Sequence, residues 1–351
     1  MQGPSDGCQH VPYEGRENLE LTDFALMMAP KPLLILSGKY DFVDLWGAQY
    51  GYAQLQQAYS KLGIPDKLDM LTVENGHGLQ EEKRYKLTSW FIQWLLASKK
   101  QVKPAFSMGN IKPTDLICTT KGQVNISFPN ALSIMDENVN QMKALEKERQ
   151  QFLRKGEAAV RKQVLSLLGT VIPKNALRSE QTRTAEGRGY MQYNFQLIRD
   201  GEIPVPCILI IPETATAKSP IRICLMEEGK SSFLNEFTNI TAALTDGTIL
   251  LAADLRGLGE TLDPPYYNDA KYWNFEYRNA MTSMHIGKPI LGQRVADLLT
   301  LLDFCSDHKE LKGRPVHIHA TGLYGPVVIH TAFLDKRIEA ANITRSIKSW
   351  E

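Results

Sequence analysis

Two side chains of this protein, Asp41 and His77, have the types and the spacing of an acid–base pair. Asp41 follows an apolar run that ends at Gly38, and His77 lies between two glycines after the next apolar run, 36 residues further on. If both runs are neighbouring strands of a parallel sheet, their carboxyl ends meet where sites in such sheets lie. An aspartate that orients a histidine, which then acts as general base, is two thirds of a nucleophile triad. The alternative interpretation is that Asp41 caps the following helix and that His77 only occupies a tight turn.

The third member of such a triad, a serine nucleophile, is not evident. In an α/β-hydrolase the chain order is serine, acid, histidine, and the serine lies within G-x-S-x-G on a sharp turn from strand to helix. The only serines before Asp41 are Ser5 and Ser37, and neither lies in this motif. Ser107 has a glycine two residues after it, but Ala105 replaces the first glycine and no strand precedes it. We therefore expect that the chain lacks the nucleophile.

A later turn has the form of this motif, but glycine replaces its nucleophile. Residues 320–325 read ATGLYG, and Gly322 stands where G-x-S-x-G-G has serine. Glycine tolerates the strained dihedral angles of such a turn, but it has no oxygen that could attack a carbonyl carbon. The turn can therefore keep its fold, whereas acyl-enzyme chemistry is not possible there.

The elements around Asp41 and His77 follow the order strand, helix, strand, helix. Short apolar runs predict buried parallel strands, and apolar side chains at three- and four-residue spacing predict helices. The predicted strands cover residues 32–38 and 68–73, and the predicted helices cover residues 47–62 and 81–96. This alternation indicates a parallel α/β sheet.

A second series of elements begins near residue 190. The predicted strands are 193–198, 207–211, 221–226, 248–253 and 316–319, and the predicted helices are 235–246, 294–306 and 327–335. The first two strands flank a hairpin signal at residues 200–204, so this sheet opens antiparallel before parallel units follow. We predict the α/β class, with an α/β-hydrolase-like, mostly parallel sheet and flanking helices, in two incomplete hydrolase-like segments.

Composition and charge are those of a globular protein without a polyanionic partner. The 351 residues are 43% hydrophobic and 23% charged, and 40 Lys and Arg against 39 Asp and Glu give a formal net charge of +1. We therefore expect no nucleic-acid partner. We also expect no membrane partner, because no apolar run approaches the ~20 residues that a membrane-spanning helix needs. The five cysteines contain no C-x-x-C pair, which favours buried thiols.

Two other groups of side chains could bind a ligand, and packing is the favoured role for both. His317 and His319 alternate on one face of a predicted strand, but no third metal ligand is evident. Aromatic residues are frequent in the segment 266–277, where they could stack on sugar rings or pack beneath a loop. We expect neither a metal nor a cofactor.

Several motifs together resemble those of the acetyl xylan esterase-like α/β-hydrolases, particularly the tandem-domain bacterial carbohydrate esterases. The matching segments are residues 29–48, 74–78, 228–230, 254–261 and 334–338, together with the Gly322 turn. Their order and spacing carry the resemblance, which covers most of the chain. The resemblance implies a serine hydrolase that removes acetyl or related groups from a polysaccharide, with Asp41 as the orienting acid and His77 as the base.

The resemblance also implies how the chain is divided. We expect residues 1–105 to be the C-terminal part of a first hydrolase domain, residues 106–189 a linker and helical connection, and residues 190–351 the N-terminal part of a second, degenerate domain. The serine-bearing part would lie upstream of Met1, and the second domain would break off near Glu351. The parent family is usually secreted or periplasmic, although residues 1–4 lack the features of a signal peptide.

Three alternatives remain open at this point. The chain could be a non-catalytic protein that keeps the hydrolase scaffold for binding or assembly. The two partial sheets could also pair as one permuted sheet, or be exchanged between two chains in a homodimer, because each alone leaves an unpaired edge. For the esterase, the partner is an acetylated polysaccharide or another small ester substrate.

Overall fold

The computed structural model describes residues 10–100, 111–169, 172–235, 237–264 and 276–347. Contacts divide the chain into two compact units, Met1–Asn140 and Gln141–Glu351. The domain boundary that the sequence predicts at residue 105 lies outside the described residues, as do Ser107 and most of the aromatic-rich segment. No described helix has the combination of length and apolar character that crossing a bilayer requires.

The first unit contains a parallel pair of strands with helices around it. Its elements are α1 (Leu21–Leu26), β1 (Leu33–Gly38), α2 (Leu45–Lys61), β2 (Leu68–Val73), α3 (Glu81–Leu95) and α4 (Val124–Ser127), and α5 (Ile134–Leu153) crosses the division between the units. The strands pair in parallel from Leu33 opposite Leu68 to Gly38 opposite Val73. The predicted order of strand, helix, strand, helix is confirmed.

Local sequence explains where α2 begins and ends. The carboxylate of Asp44 accepts hydrogen bonds from the amides of Trp46 and Gly47, which satisfies donors that the first turn leaves unpaired. Gly63 has a φ of +74° just after the helix, a conformation that glycine adopts without strain. Between these ends, Leu55 and Tyr59 are buried in a small apolar cluster with Leu68 of β2.

The strands of the first unit are less buried than their sequence predicts. Continuous apolar runs are typical of strands covered on both faces, yet most residues of β1 and β2 are only half-buried. The reason is that the sheet has two strands. Both strands are therefore edges, and each has one side without a neighbouring strand.

The second unit is a seven-stranded sheet with helices on both faces. Its elements are α6 (Glu157–Leu168), β3 (Arg178–Gly187), β4 (Tyr190–Ile198), β5 (Val205–Pro212), β6 (Ile221–Leu225), α7 (Lys230–Asn235), α8 (Phe237–Asp246), β7 (Ile249–Ala253), α9 (Tyr277–His285), α10 (Ile290–Asp307), β8 (Val316–Thr321), α11 (Tyr324–Leu334) and β9 (Ile338–Thr344). Residues of β7 alternate between two apolar clusters: Leu251 packs with α10 and α11, and Leu250 packs with α7 and α8.

The prediction of a mostly parallel sheet is wrong, because this sheet is mixed. The strand order is β3-β4-β5-β7-β6-β8-β9. The pairings of β3 with β4, β4 with β5, and β5 with β7 are antiparallel, and those of β7, β6, β8 and β9 are parallel. The predicted antiparallel hairpin at the start is therefore confirmed, but antiparallel pairing extends further through the sheet than local signals indicate.

One strand of the larger sheet has no local signal in the sequence. Strand β3 has the sequence RSEQTRTAEG and is exposed along most of its length, so it has no apolar alternation that would have predicted it. Strands β1 and β2 form a sheet of their own, whereas β8 lies between β6 and β9 in the larger sheet.

Candidate functional site

The parallel register of β1 and β2 brings Asp41 and His77 to the same edge of the small sheet. Gly38 ends β1 opposite Val73, which ends β2. The segments that follow the two strands stay hydrogen-bonded. The Lys39 amide donates to the Val73 carbonyl over 2.9 Å, and the Tyr40 amide donates to the Asn75 carbonyl over 3.1 Å. The loops that carry Asp41 and His77 therefore run side by side.

Gly38 permits this close approach. A Cβ at this position would lie 2.5 Å from the carbonyl oxygen of Asn75 and 2.7 Å from that of Gly76. Real Cβ atoms are essentially never found at such distances from backbone atoms. The glycine at the end of β1 is therefore a packing requirement of the turn that carries His77.

The two side chains are in direct contact. The Nδ1 atom of His77 lies 3.1 Å from Oδ1 and 3.2 Å from Oδ2 of Asp41. An ionised carboxylate can only accept a hydrogen bond, so this geometry places the ring proton on Nδ1 and leaves the lone pair on Nε2. The Asp41 side chain is 10% exposed, whereas the His77 side chain is 65% exposed. The acid is thus covered while the imidazole remains accessible.

The surroundings of Asp41 favour its ionised form. Burial raises the pKa of this carboxyl, but hydrogen bonds from the Val43 amide and from His77, with the charges of His77 and Lys83, leave the pKa below its ordinary value. The Val43 amide donates to Oδ1 over 3.1 Å. Asp41 does not cap α2, because Asp44 does so. The alternative interpretation of Asp41 as the helix cap is therefore wrong.

Two side chains near the start of α3 hold the turn that carries His77. The Nε2 atom of Gln80 donates to the carbonyls of Gly76 and His77 over 3.1 and 3.0 Å. The Nζ atom of Lys83 donates to the Gly78 carbonyl over 3.0 Å, and Lys83 is only 3% exposed. Neither residue stands out in the sequence as part of a site. The lysine lies in an otherwise ordinary charged first turn, so nothing in the local pattern distinguishes it.

The accessible edge of the imidazole has an aromatic neighbour, and no hydroxyl of the described residues is its hydrogen-bond partner. The ring of Phe42 lies 4.7 Å from that of His77, centroid to centroid. Within residues 10–100 and the other described ranges, His77 accepts no hydrogen bond from a serine or cysteine side chain. Ser37 lies four residues before Asp41, but its Oγ atom is hydrogen-bonded to Oγ1 of Thr72 over 2.8 Å.

Exposed aromatic side chains are frequent in the segment 40–50, which contains Asp41. Tyr40 and Phe42 flank Asp41, and Trp46 and Tyr50 lie one turn apart near the start of α2. The rings of Trp46 and Tyr50 are stacked, with centroids 5.5 Å apart and planes 12° apart. All four side chains are more than half exposed. So many accessible large rings in one short segment are typical of a binding surface.

The Gly322 turn of the second unit also lies at the carboxyl ends of parallel strands. Gly322 follows β8 and has a φ of +54°. A Cβ at this position would overlap the carboxylate of Glu227, which follows β6. Any side chain at position 322, including serine, would therefore require Glu227 to move.

A buried ion pair lies beside this turn in the segments 228–230 and 254–261. The Nζ atom of Lys230 donates to Asp254 over 2.6 Å and to Glu260 over 2.5 Å. The Lys230 amide also donates to Asp254 over 2.6 Å. Both Lys230 and Asp254 are buried. Each charge is compensated, so the pair joins two loops of the fold rather than offering a free reactive group.

Comparison with known proteins gives similarity only at the level of structure. No protein-family model and no curated protein matches the sequence. The chain is similar to a provisionally assigned acetyl xylan esterase from Bacteroides fragilis, with 15% identity, a TM-score of 0.46, and coverage of 54% of this chain and 52% of that one. Acetyl xylan esterase 1 from Thermoanaerobacterium sp. gives 15% identity and a TM-score of 0.34, with 53% and 56% covered. A glucuronoyl esterase from Solibacter usitatus gives 13% identity and a TM-score of 0.39, with 52% of this chain and 56% of that one covered.

The extent of these matches limits what they mean. The chain spans about half the length of the Bacteroides fragilis structure. The neighbours are acetyl xylan esterases and related esterases, but the TM-scores are below 0.5 and the identities are below 25%. The function of this chain therefore has to be argued from the geometry of its own residues.

Proposed function

We propose that this chain supplies the acid and base of a carbohydrate esterase that works by Ser-His-Asp chemistry, and that the serine nucleophile is missing from this chain. The observation that carries the proposal is the contact of His77 Nδ1 with the Asp41 carboxylate at 3.1 and 3.2 Å, beside an accessible imidazole. The His77 side chain is 65% exposed, so a substrate can reach the ring.

The proposal gives each residue one step of the reaction. His77 Nε2 takes the proton of a hydroxyl as that oxygen attacks the ester carbonyl carbon, and the imidazolium then gives the proton to the leaving alkoxide. Asp41 accepts the Nδ1–H bond throughout, which keeps the ring in the productive tautomer and stabilises the imidazolium. Another segment of a longer polypeptide would supply the hydroxyl.

The aromatic surface supports a sugar ester as the substrate. Apolar faces of pyranose rings stack on exposed aromatic side chains, and Trp46 with Tyr50 offers such a platform in the segment that follows Asp41. We expect Trp46→Ala to weaken the binding of xylo-oligosaccharides about 2- to 10-fold in NMR titrations, because one stacked ring contributes about 0.5–1.5 kcal/mol. Phe91→Ala, an exposed aromatic change on α3, is the matched control and should leave the affinity unchanged.

An external alcohol tests the acid–base proposal without requiring the serine. Trifluoroethanol can accept the acyl group of p-nitrophenyl acetate, and His77 should accelerate this transfer as general base. We expect a rate contribution proportional to the alcohol concentration that His77→Gln abolishes and Asp41→Asn lowers about tenfold or more. Asp66→Asn removes a carboxylate elsewhere in the first unit and should leave the rate unchanged.

Two outcomes of this experiment contradict the proposal. The first is that no alcohol-dependent rate exists, and the second is that the rate survives His77→Gln. A parallel experiment with a fluorophosphonate probe addresses the nucleophile: the chain alone should remain unlabelled. A labelled serine within this chain would overturn the statement that the nucleophile is supplied from elsewhere.

A further inference from the structure

The second unit contains a cavity at the carboxyl ends of three adjacent parallel strands. Its volume is about 330 Å³, which falls within the size range of small-molecule sites, about 300–1,000 Å³. Glu227, Gly322 and Arg345 line it, and they follow β6, β8 and β9 respectively. The carboxyl ends of parallel strands are where ligands bind in sheets of this kind.

Other residues that line the cavity are apolar. Leu291 comes from the first turn of α10, and Leu323 and Val327 come from the start of α11. The Glu227 carboxylate occupies the space that a side chain at position 322 would fill. The cavity thus combines apolar walls with a carboxylate at the position where a hydrolase would carry its nucleophile.

The charged groups of the cavity differ in how far they are already compensated. Arg294 is buried, forms an ion pair with Glu276 and donates to the Arg256 carbonyl over 3.0 Å. Arg345 lies 3.5 Å from Glu228, at the limit of hydrogen-bond distance. Among the described residues, the Glu227 carboxylate has no ion pair. Glu227 is therefore the lining charge most available to a ligand.

We infer that this cavity binds a small organic cation, with an apolar body against Leu291, Leu323 and Val327 and an ammonium group against Glu227. The Glu227 side chain is exposed, so an ammonium group can reach its carboxylate and donate a charge-assisted hydrogen bond, which is about twice as strong as a neutral one. An anionic ligand would be repelled by Glu227. Because Gly322 has no side-chain oxygen, position 322 cannot carry out acyl transfer, and we infer binding alone.

Three probes with a common phenylethyl body test the inference: phenethylamine, phenethyl alcohol and hydrocinnamate. Their dissociation constants are measured with the full chain by ligand-observed NMR. We expect the amine to bind about tenfold more tightly than the alcohol, since a hydrogen bond to a charged group is stronger than a neutral one, and the carboxylate to bind most weakly. Leu323→Trp fills the cavity and should abolish binding of all three.

Matched variants separate the carboxylate from the general charge of the surface. Glu227→Gln keeps the shape of the side chain and should remove the advantage of the amine over the alcohol. Glu339→Gln makes the same chemical change on exposed β9, away from the cavity, and should have no effect. Thermal melting shows that each variant folds. Tightest binding of hydrocinnamate, equal amine affinity in Glu227→Gln, or binding of none of the probes would each overturn the inference.

Discussion

Replacing Gly38 by alanine should force the end of β1 away from the turn that carries His77. The added Cβ would stand 2.5 Å from the Asn75 carbonyl oxygen, whereas such carbon–oxygen contacts need about 3.3 Å, so the turn must move by about 0.8 Å. Overpacking of this kind costs about 1–3 kcal/mol. It would also lengthen the 3.1 Å contact between His77 and Asp41 beyond hydrogen-bond reach.

Hydrogen exchange measures this effect locally. The amides of Lys39 and Tyr40 donate to the carbonyls of Val73 and Asn75, so they report the opening of this edge of the sheet. A loss of about 1–3 kcal/mol should accelerate their exchange about 5- to 150-fold.

The neighbouring glycine provides the control for this prediction. A Cβ at Gly76 would meet its nearest atom, the Tyr40 carbonyl oxygen, at an ordinary 3.5 Å. Gly76→Ala should therefore leave the exchange of the same amides close to that of the unaltered protein. Unchanged exchange in Gly38→Ala, or equal acceleration in both variants, would refute the reasoning that close backbone approach requires glycine at position 38.

Three further outcomes follow from burial and charge. Asp254→Asn should lower the free energy of unfolding in urea by about 3 kcal/mol, because the buried Lys230 ammonium loses its main partner and keeps only Glu260. The folded pKa of Asp41 is lowered, so its ionised form adds stability above about pH 4, and that stability is lost as the pH falls through the folded pKa. The free energy of unfolding of the unaltered protein should therefore exceed that of Asp41→Asn above about pH 4, and the difference should vanish once the pH is below the folded pKa. Burial raises the pKa of Cys224 to about 12, so iodoacetamide at neutral pH should modify exposed Cys118 and spare Cys224, as peptide mass spectrometry would show.

Local sequence patterns were sufficient for the elements that hold the Asp41–His77 pair. An apolar run, a helical repeat and a second apolar run predict β1, α2 and β2, and parallel pairing of adjacent strands then places both loops at one edge. The proximity of the two side chains follows from that register, because each lies three or four residues beyond the end of its strand. Their catalytic roles remain a proposal.

The features that sequence could not predict depend on contacts between distant segments. Strand β7 inserts between β5 and β6, with Cys207 opposite Ala253, and no local signal specifies that pairing. Lys83 appears in sequence as one of several charges in the first turn of α3, and only the fold shows it buried against Gly78. The position of Glu227 over Gly322 likewise requires β6 and β8 to be neighbours.

The tautomer of His77 tests the central claim of an oriented base most directly. Long-range proton–nitrogen correlation NMR at a pH where the ring is neutral distinguishes a proton on Nδ1 from one on Nε2. Because Nδ1 lies against the carboxylate of Asp41, we predict the Nδ1–H tautomer, with its dominance lost in Asp41→Asn. An Nε2–H tautomer in the unaltered protein, or a spectrum that Asp41→Asn does not change, would contradict the account.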